Sequence, residues 1–278
     1  MVVANQKGGV GKTTTTVNIA AALARNGLRV LVVDLDPQGN ASTALAIEHH
    51  RGTPSTYEAL IDGLPLADIV RSSPEVDGLF VVPATIDLAG AEIELVSLVA
   101  RESRLRKALS NYPPVGARST PAAPVAAEPA DRFDYVLIDC PPSLGLLTLN
   151  ALVAGEEMLI PIQAEYYALE GLGQLLETVE MVNEHLNPDL RISTILLTMY
   201  DSRTRLSAGV ADEVRSHFGD QVLATAIPRS VRISEAPSYG QSVIAYDPTS
   251  PGALSYLEAA REMAGGGRRS DGAQGAGR

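Results

Sequence analysis

The chain has little cysteine and histidine, and it lacks long apolar runs. Its single cysteine, Cys140, excludes an intrachain disulfide, and without a paired histidine we interpret it as a small packed residue rather than a catalytic thiol. The four histidines have no metal-binding spacing. No apolar stretch approaches the ~20 residues that span a bilayer. Since the N-terminus leads directly into a strand and a glycine-rich loop, we expect no secretory signal and a cytoplasmic protein.

Positive charge is also scarce. The sequence has 22 Lys and Arg against 33 Asp and Glu, a formal net charge of -11. This is the wrong sign for a protein that coats DNA over its whole surface. If the protein binds DNA, it must do so through a local arginine patch, which dimerisation would double and salt would weaken.

Length and pattern favour one α/β domain. A chain of 278 residues can bury an ample core. Predicted strands alternate with predicted helices, which is typical of a doubly wound, mostly parallel sheet flanked by helices. The predicted helices cover residues 12–26, 88–109, 145–155, 165–186, 206–218 and 250–264, and the predicted strands cover residues 29–34, 79–83, 134–139, 157–162, 192–198 and 221–226.

Two of the three lysines lie in one glycine-rich segment after a short apolar strand. A phosphate-binding loop ends in Gly-Lys-Thr, where glycines let backbone N–H groups surround phosphate oxygens, Lys12 reaches the β- and γ-phosphates, and Thr13 offers a hydroxyl to Mg²⁺. The helix predicted after it directs its positive end at the phosphates. The segment consists of Lys7, Gly8, Gly9, Val10, Gly11, Lys12, Thr13 and Thr14.

This loop differs from the general pattern at its start. Gln6 stands where the general pattern has glycine, and Lys7 follows it. Lys-Gly-Gly-x-x-Lys-Thr resembles the deviant loop of the ParA/MinD group of ATPases. The resemblance implies that residues 7–14 bind ATP with Mg²⁺ and that two subunits sandwich two ATP molecules. It also implies that Lys7 reaches the phosphates held by the partner subunit.

Two further motifs end in carboxylates. Residues 30–33 fit a buried parallel strand that ends at Asp34, and Pro37 makes the chain leave it extended. Carboxylates at this end of a strand lie where open α/β sheets bind ligands. The segment resembles the family's first switch, in which Asp36 orients the attacking water and Asp34 supports the Mg²⁺ shell. A second buried strand ends at Asp139, the Walker B position that holds Mg²⁺, and residues 140–145 resemble the second switch.

A late segment distinguishes members within the group. Residues 226–237, together with residues 246–248, resemble chromosomal ParA proteins, also called Soj, more than MinD. The resemblance implies that Pro228 and Arg229 line the adenine pocket and that Asp247 belongs to the nucleotide site. It also implies that Arg203 and Arg232 contact DNA. Other surface arginines are better explained by solvation or weak ion pairs.

Three segments stand apart from these motifs. We expect one ATPase domain over residues 1–264, interrupted by a disordered Pro/Ala-rich insert at about 112–131, and a flexible tail over residues 265–278. The helix predicted over 88–109 has an apolar face that either packs on the sheet, which we favour, or joins a partner surface. That face contains Leu88, Ile93, Leu95, Leu98 and Leu105.

The resemblance as a whole implies a DNA-partitioning ATPase. Its ATP-bound homodimer would bind nucleoid DNA without sequence preference, and a ParB-type partner would stimulate slow hydrolysis and so release the protein. A MinD-type division-site ATPase remains as an alternative, but the last predicted helix is not a basic membrane-binding one. An iron–sulfur reductase of the nitrogenase type needs two cluster cysteines per subunit, and this chain has one. A non-enzymatic DNA-binding regulator is the third alternative.

Overall fold

The computed structural model describes residues 1–112, 132–165 and 170–266. The predicted insert, except for Tyr112, and nearly all of the predicted tail lie outside these residues. The strands are β1 (Val2–Val3), β2 (Val30–Asp34), β3 (Arg71–Ser72), β4 (Leu79–Val82), β5 (Tyr135–Asp139), β6 (Glu157–Gln163) and β7 (Arg191–Thr198). The helices are α1 (Lys12–Arg25), α2 (Asn40–Ala44), α3 (Thr56–Ile61), α4 (Leu66–Ile69), α5 (Leu88–Glu94), α6 (Arg104–Ser110), α7 (Leu146–Ala154), α8 (Glu170–His185), α9 (Arg205–Phe218), α10 (Val231–Glu235), α11 (Val243–Tyr246) and α12 (Pro251–Gly266).

The strands form a single seven-stranded sheet in the order β3-β4-β2-β5-β1-β6-β7. Only β3 runs antiparallel to its neighbour. Helices cover both faces, so the predicted doubly wound α/β architecture is confirmed. Alternate side chains along β2 enter two separate cores: Leu31 and Val33 face one, and Val30 and Val32 face the other. Burial on both faces explains why the central strands are continuous apolar runs.

The sheet register brings the motif carboxylates together. Asp34 at the end of β2 pairs with Asp139 at the end of β5, and Val3 at the end of β1 pairs with Asp139 as well. The loop that leaves β1 therefore starts beside both carboxylates. This is the carboxyl edge of a parallel sheet, where such folds bind ligands.

One predicted strand is wrong. Residues 221–226 do not form a strand; against the edge strand β7 they make an isolated bridge between Ile195 and Val222, and the Gln221 side chain donates to Ile192 O at 2.6 Å. The N–H groups of Ala224 and Thr225 instead donate to the Glu262 carboxylate on α12, at 2.8 and 3.0 Å. The Glu262 carboxylate thus takes backbone N–H groups that a strand at this position would have used to bond its neighbour.

The helix predicted over residues 88–109 is interrupted. It ends at Glu94, continues as a 3₁₀ turn over Leu95–Ser97, and restarts as α6 at Arg104. Ala100, between them, has a φ of +53°, which no α-helix contains. The Asn150 side chain on α7 holds the break, since its amide donates to Arg101 O and its carbonyl accepts from Leu105 N.

The break divides the predicted apolar face. Leu88, Leu95 and Leu105 are fully buried, as core packing requires, and Leu98 is half-buried. Ile93, however, is 79% exposed, so its predicted place in the core is wrong. Elsewhere the predicted helices and strands match the observed ones to within a few residues. The helix predicted from residue 165 is observed as α8 from Glu170, and residues 166–169 lie outside the described part of the chain. Within the described part of the chain, no helix is long and apolar enough to cross a bilayer.

Candidate nucleotide site and DNA-contact arginines

The glycine-rich loop lies between β1 and α1 and is fixed at both ends. The Asn5 side chain donates to Pro161 O on β6 at 2.8 Å and accepts from Lys7 N at 3.0 Å. Thr198 at the end of β7 donates its hydroxyl to Val10 O at 2.8 Å. Neighbouring strands therefore hold the loop at the edge of the sheet.

The loop's conformation requires glycine and leaves space for a ligand. Gly9 and Gly11 have φ values of +74° and +88°, in the left-handed region that side chains disfavour. A Cβ placed on Gly8 or Gly9 would have no atom within 4 Å. The first N–H groups of α1 have no acceptor inside the helix. The loop thus presents open backbone donors at a helix N-terminus, which suits a phosphate group.

Lys12 is buried at the base of this loop. It is 7% exposed, and its ammonium donates to Lys7 O at 3.2 Å. Burial lowers the pKa of Lys12, and the nearby carboxylates of Asp139 and Asp36 oppose that shift. The positive charge of Lys12 is therefore poorly solvated and has few partners. This is expected of a group that binds a polyanion.

Asp34 and Asp139 form a buried carboxylate pair. Both are fully buried, and burial, together with the facing carboxylate, raises the pKa of Asp139 to about 8. Thr16 donates its hydroxyl to Asp139 Oδ1 at 3.0 Å, and the side chains of Thr16 and Thr13 oppose the rise in the pKa of Asp139. Asp139 Oδ2 is buried with no hydrogen-bond partner among the described residues. A divalent cation would satisfy this oxygen and relieve the repulsion between the carboxylates.

The donor set at this point fits Mg²⁺. Hydroxyl and carboxylate oxygens are its preferred protein ligands, and it takes its remaining ligands from phosphates and water. The described part of the chain has no cluster of three or more His, Cys, Asp or Glu residues suited to a metal. Such a cluster is not needed where Mg²⁺ is bound through one or two carboxylates and a bound nucleotide.

Asp34 has a different role from Asp139 in this geometry. Its Oδ2 accepts from both the N–H and the hydroxyl of Ser42, at 2.9 and 2.7 Å, and its Oδ1 accepts from Asp36 N at 3.2 Å. Burial raises its pKa to about 6, which these hydrogen bonds partly offset. Asp34 thus organises the segment that follows β2. In that segment Asp36, 8% exposed, accepts from Gln38 N at 2.9 Å.

Sequence patterns missed two hydroxyl residues beside the carboxylate pair. Thr16 reaches Asp139 from one helical turn beyond Lys12, and Ser42 connects Asp34 to Ala84 N, which donates to the Ser42 hydroxyl at 3.1 Å. Neither residue belongs to a recognised motif. A hydroxyl residue one turn after the loop lysine is the only signal that could have indicated Thr16.

Lys7 is placed differently from Lys12. Its ammonium lies 3.9 Å from Glu165 Oε2, and the side chain is 34% exposed. Arg229 Nη2 binds the other oxygen of the same carboxylate at 3.1 Å. The geometry thus joins Lys7 and Arg229, two predicted site residues, through Glu165, which the sequence did not indicate.

The nucleotide-binding residues predicted in the late segment are only partly brought together. Pro228 bridges to Tyr200, and Arg229 N donates to Tyr200 O at 3.3 Å, so this segment lies against the end of β7. Asp247 instead lies 3.4 Å from the Arg232 guanidinium. Among the described contacts, none joins Asp247 to the phosphate loop.

The two predicted DNA-contact arginines are exposed and paired. Arg203 forms a two-point contact with Asp201, at 2.9 and 2.8 Å, and its side chain is 87% exposed. Arg232 binds Glu235 at 3.1 Å as well as Asp247. These exposed pairs are weak and exchange with solvent. No described contact joins the two arginines to each other.

Comparison with known proteins identifies the family. Residues 1–243 match the model of the CobQ/CobB/MinD/ParA nucleotide binding domain. The sporulation initiation inhibitor protein Soj of Bacillus subtilis is 52% identical over 265 residues, which cover 95% of this chain and 98% of Soj. This chain belongs to the ParA/Soj family of partitioning ATPases. The chromosome partitioning protein ParA of Myxococcus xanthus is 51% identical and is covered over 86% of its length, against 94% of this chain.

Solved structures agree with this assignment. A protein described as cobyrinic acid a,c-diamide synthase from Mycobacterium smegmatis, with bound ADP and magnesium, superposes with a TM-score of 0.75 at 39% identity, over 94% of this chain and 91% of that one. The MinD protein of Pyrococcus horikoshii, complexed with Mg-ADP, has a TM-score of 0.71 at 23% identity, over 94% of each chain. At that identity it shows the fold alone, so the ParA/Soj assignment is favoured over the MinD-type alternative.

Proposed function

We propose that this ParA/Soj family member hydrolyses ATP slowly and that its ATP-bound homodimer binds DNA without sequence preference. A ParB-type partner stimulates hydrolysis, which opens the dimer and releases the DNA. The observation that carries the proposal is the contrast between the two loop lysines: Lys12 is buried beside Asp139, whereas the one described partner of the Lys7 ammonium is the exposed Glu165 carboxylate. One lysine serves the chain's own phosphates, and the other is available to a second subunit.

The residues of the site divide the chemistry of phosphoryl transfer. Backbone N–H groups of residues 8–14 surround the phosphates, and the Lys12 ammonium neutralises charge on the β- and γ-oxygens. Asp36 accepts a hydrogen bond from the attacking water and so orients it. Thr13 and Asp139 would hold Mg²⁺, with Asp34 supporting that shell through the first switch. The ion would neutralise charge that develops on the transferred phosphoryl group.

The second subunit completes the site. Lys7 can leave Glu165 at little cost, because an ion pair this exposed contributes at most about 1 kcal/mol. A γ-phosphate held by the partner subunit carries more charge than one carboxylate and offers Lys7 a stronger contact. Dimerisation then depends on the nucleotide, and hydrolysis removes the attraction. Pro228, Arg229 and Asp247 complete the proposed nucleotide-binding set.

DNA binding follows from dimerisation. The net charge of -11 makes the chain as a whole repel DNA, so binding depends on Arg203 and Arg232 and their copies in the second subunit. Two copies double the number of phosphates that the protein neutralises, and affinity rises steeply with that number. We place this activity in one ATPase domain over residues 1–264, in a cytoplasmic and nucleoid-associated protein.

DNA retention under defined nucleotide states tests the proposal. We expect retention with ATP and Mg²⁺, little with ADP or after chelation of Mg²⁺, and release when the ParB-type protein of the same organism is added. Lys12→Ala should lose nucleotide and DNA binding together. Lys107→Ala, which removes the third, exposed lysine, is the matched control and should behave as wild type.

Other outcomes would support the alternatives. Intact DNA binding by Lys12→Ala would indicate a non-enzymatic regulator. Pelleting with liposomes in the presence of ATP, without retention on DNA, would indicate a MinD-type ATPase.

A further inference from the structure

Two side chains of α1 hold helix α11, although the two helices are far apart in the sequence. Asn18 Oδ1 accepts from Val243 N at 2.8 Å, and Arg25, in the last turn of α1, donates through Nη1 to Ile244 O at 3.1 Å. Val243 and Ile244 are fully buried in the core that α1 also lines. Helix α11 is therefore fixed to α1 by hydrogen bonds at two points as well as by apolar packing.

Asn18 also reaches the phosphate loop. Its Nδ2 donates at 2.7 Å to the backbone oxygen of Thr14, the last residue of the glycine-rich segment. The surroundings fix which way the amide points, because Thr14 offers an oxygen and Val243 offers an N–H. Asn18 is 3% exposed, so a substitution that removes its amide takes away the acceptor of a buried N–H. One buried side chain thus joins the predicted phosphate loop to α11.

The other end of α11 carries the groups that surround Arg232. Asp247 directly follows the helix; its Oδ2 lies 3.4 Å from Arg232 Nε, and its Oδ1 accepts from the Thr249 hydroxyl at 3.3 Å. Tyr246, the last residue of α11, donates its hydroxyl to Glu235 Oε2 at 3.3 Å, and Arg232 Nη1 donates to the same oxygen at 3.1 Å. Helix α11 therefore supplies or contacts both carboxylates that orient the Arg232 guanidinium.

Among the side chains that hold α11, Asn18 is the one that leads to the phosphate loop. Glu75, between β3 and β4, accepts from the N–H and the hydroxyl of Ser242, at 2.6 and 2.5 Å. Neither Glu75 nor Arg25 has a described hydrogen bond to residues 7–14. Buried polar networks that are fully hydrogen-bonded hold the elements that they join in one arrangement. The position of α11 relative to the loop therefore depends on Asn18.

We propose that Asn18 is a positioning residue for DNA binding: it holds α11, and with it the contact between Asp247 and Arg232, in a place that the phosphate loop sets. The inference rests on the proposed function, since it needs Arg232 to contact DNA and residues 7–14 to bind ATP. Phosphates bound at the start of α1 fix the first turn of that helix, and Asn18 relates α11 to that turn. Asp247, which has no described contact with the loop, is thereby connected to the nucleotide site.

The DNA affinity of the ATP-bound dimer tests the role of Asn18. DNA binding is titrated at saturating ATP and Mg²⁺, and the fraction of dimer is measured in the same samples. Asn18→Ala should raise the DNA dissociation constant of the dimer about threefold to tenfold, a size typical of a residue that couples two sites. Asn26→Ala is the matched control, because Asn26 is exposed just after the other end of α1, and its DNA affinity should be unchanged.

A second background separates positioning from a merely structural role. Asn18→Ala is combined with Arg232→Ala at low salt, where DNA binding through the remaining cations is strong enough to measure. Asn18→Ala should cause no further loss there, because the contact that it positions is absent. An equal fold loss in both backgrounds overturns the proposal. So does a lower thermal midpoint with less dimer but an unchanged DNA affinity of that dimer.

Arg25→Met provides the test if Asn18→Ala does not fold. Arg25 is exposed, and methionine keeps the length of its side chain without the donor to Ile244 O. DNA affinity should fall about twofold or more, and only when Arg232 is present. Unchanged affinity in Arg25→Met then overturns the proposal.

Failure of the proposed function has a different signature. A wild-type protein that shows no ATP-dependent DNA retention contradicts the proposed function, and so does wild-type retention by Arg232→Ala. Normal retention by the wild type and its loss in Arg232→Ala, together with unchanged affinity in Asn18→Ala, overturns the role of Asn18 alone.

Discussion

The Lys7 ammonium lies 3.9 Å from the Glu165 carboxylate, which Arg229 binds from the other side at 3.1 Å. All three side chains are at least one-third exposed. This contact therefore positions Lys7 but is weak enough for Lys7 to exchange it for another anion. Lys12, five residues later, is buried and points into the chain's own loop. Two lysines of one motif thus have separate surroundings, and this separation leads to the first prediction.

Lys7→Ala should retain ATP binding but remain monomeric. Within the described part of the chain, the Lys7 side chain contacts only the Glu165 carboxylate, whereas the proposed dimer needs Lys7 to reach the second nucleotide. Size-exclusion chromatography with ATP and Mg²⁺ measures the effect, and binding of a fluorescent ATP analogue confirms that the loop is intact. A dimer of normal stability would contradict the cross-subunit role.

Asp36→Ala should form a stable ATP-bound dimer on DNA with little turnover. In the proposed mechanism Asp36 does not bind phosphate but orients the water, and removing such a group costs about 10²-fold or more in rate. Phosphate release and DNA retention, measured on the same samples, should therefore change in opposite directions. Asp77→Ala, an exposed aspartate before β4, should match wild type. Normal phosphate release by Asp36→Ala would remove Asp36 from the mechanism.

Thr16→Val should weaken Mg²⁺-dependent turnover by about 10- to 100-fold, as is typical when a residue that orients a metal ligand is lost. The hydroxyl donates to Asp139 Oδ1 at 3.0 Å, and valine keeps the volume without that donor. Turnover measured against Mg²⁺ concentration should show a raised half-saturation. Thr16→Ser restores the hydroxyl and should recover most activity. An unchanged Mg²⁺ dependence in Thr16→Val would show that Thr16 does not position Asp139.

Arg232→Glu should abolish DNA retention while the ATP-dependent dimer still forms. The substitution replaces the cation proposed to bind DNA phosphates with an anion beside Glu235 and Asp247, and it would occur twice in the dimer. DNA retention measured at several salt concentrations should show a loss of affinity at every concentration. Arg205→Glu has the same charge change at another exposed arginine and should retain much more DNA binding. Equal losses in both variants would indicate general charge repulsion instead.

The sequence predicted most of the sheet because central parallel strands are continuous apolar runs, and β2 and β5 both end in aspartate. It could not predict that Asp34 and Asp139 pair in register, since strand order depends on contacts between segments about a hundred residues apart. The two wrong predictions, a strand over residues 221–226 and an unbroken helix over residues 88–109, also arise from contacts between segments that are distant in the sequence. Glu262 occupies the backbone donors of residues 224 and 225, and Asn150 holds the break between α5 and α6.

The glycine-rich loop, the helix that follows it and the family resemblance were determined by the sequence alone, because a phosphate loop is encoded in consecutive residues whose backbone geometry is local. Tertiary structure decided which side chains act on that loop. Partners on other strands and loops give their roles to Thr16, Ser42 and Glu165. Ile93 is exposed to solvent although its position in the sequence suits a helix face that packs on the core. The physical reason is that burial and side-chain hydrogen bonding depend on what the rest of the fold places alongside each residue, and local spacing does not contain that information.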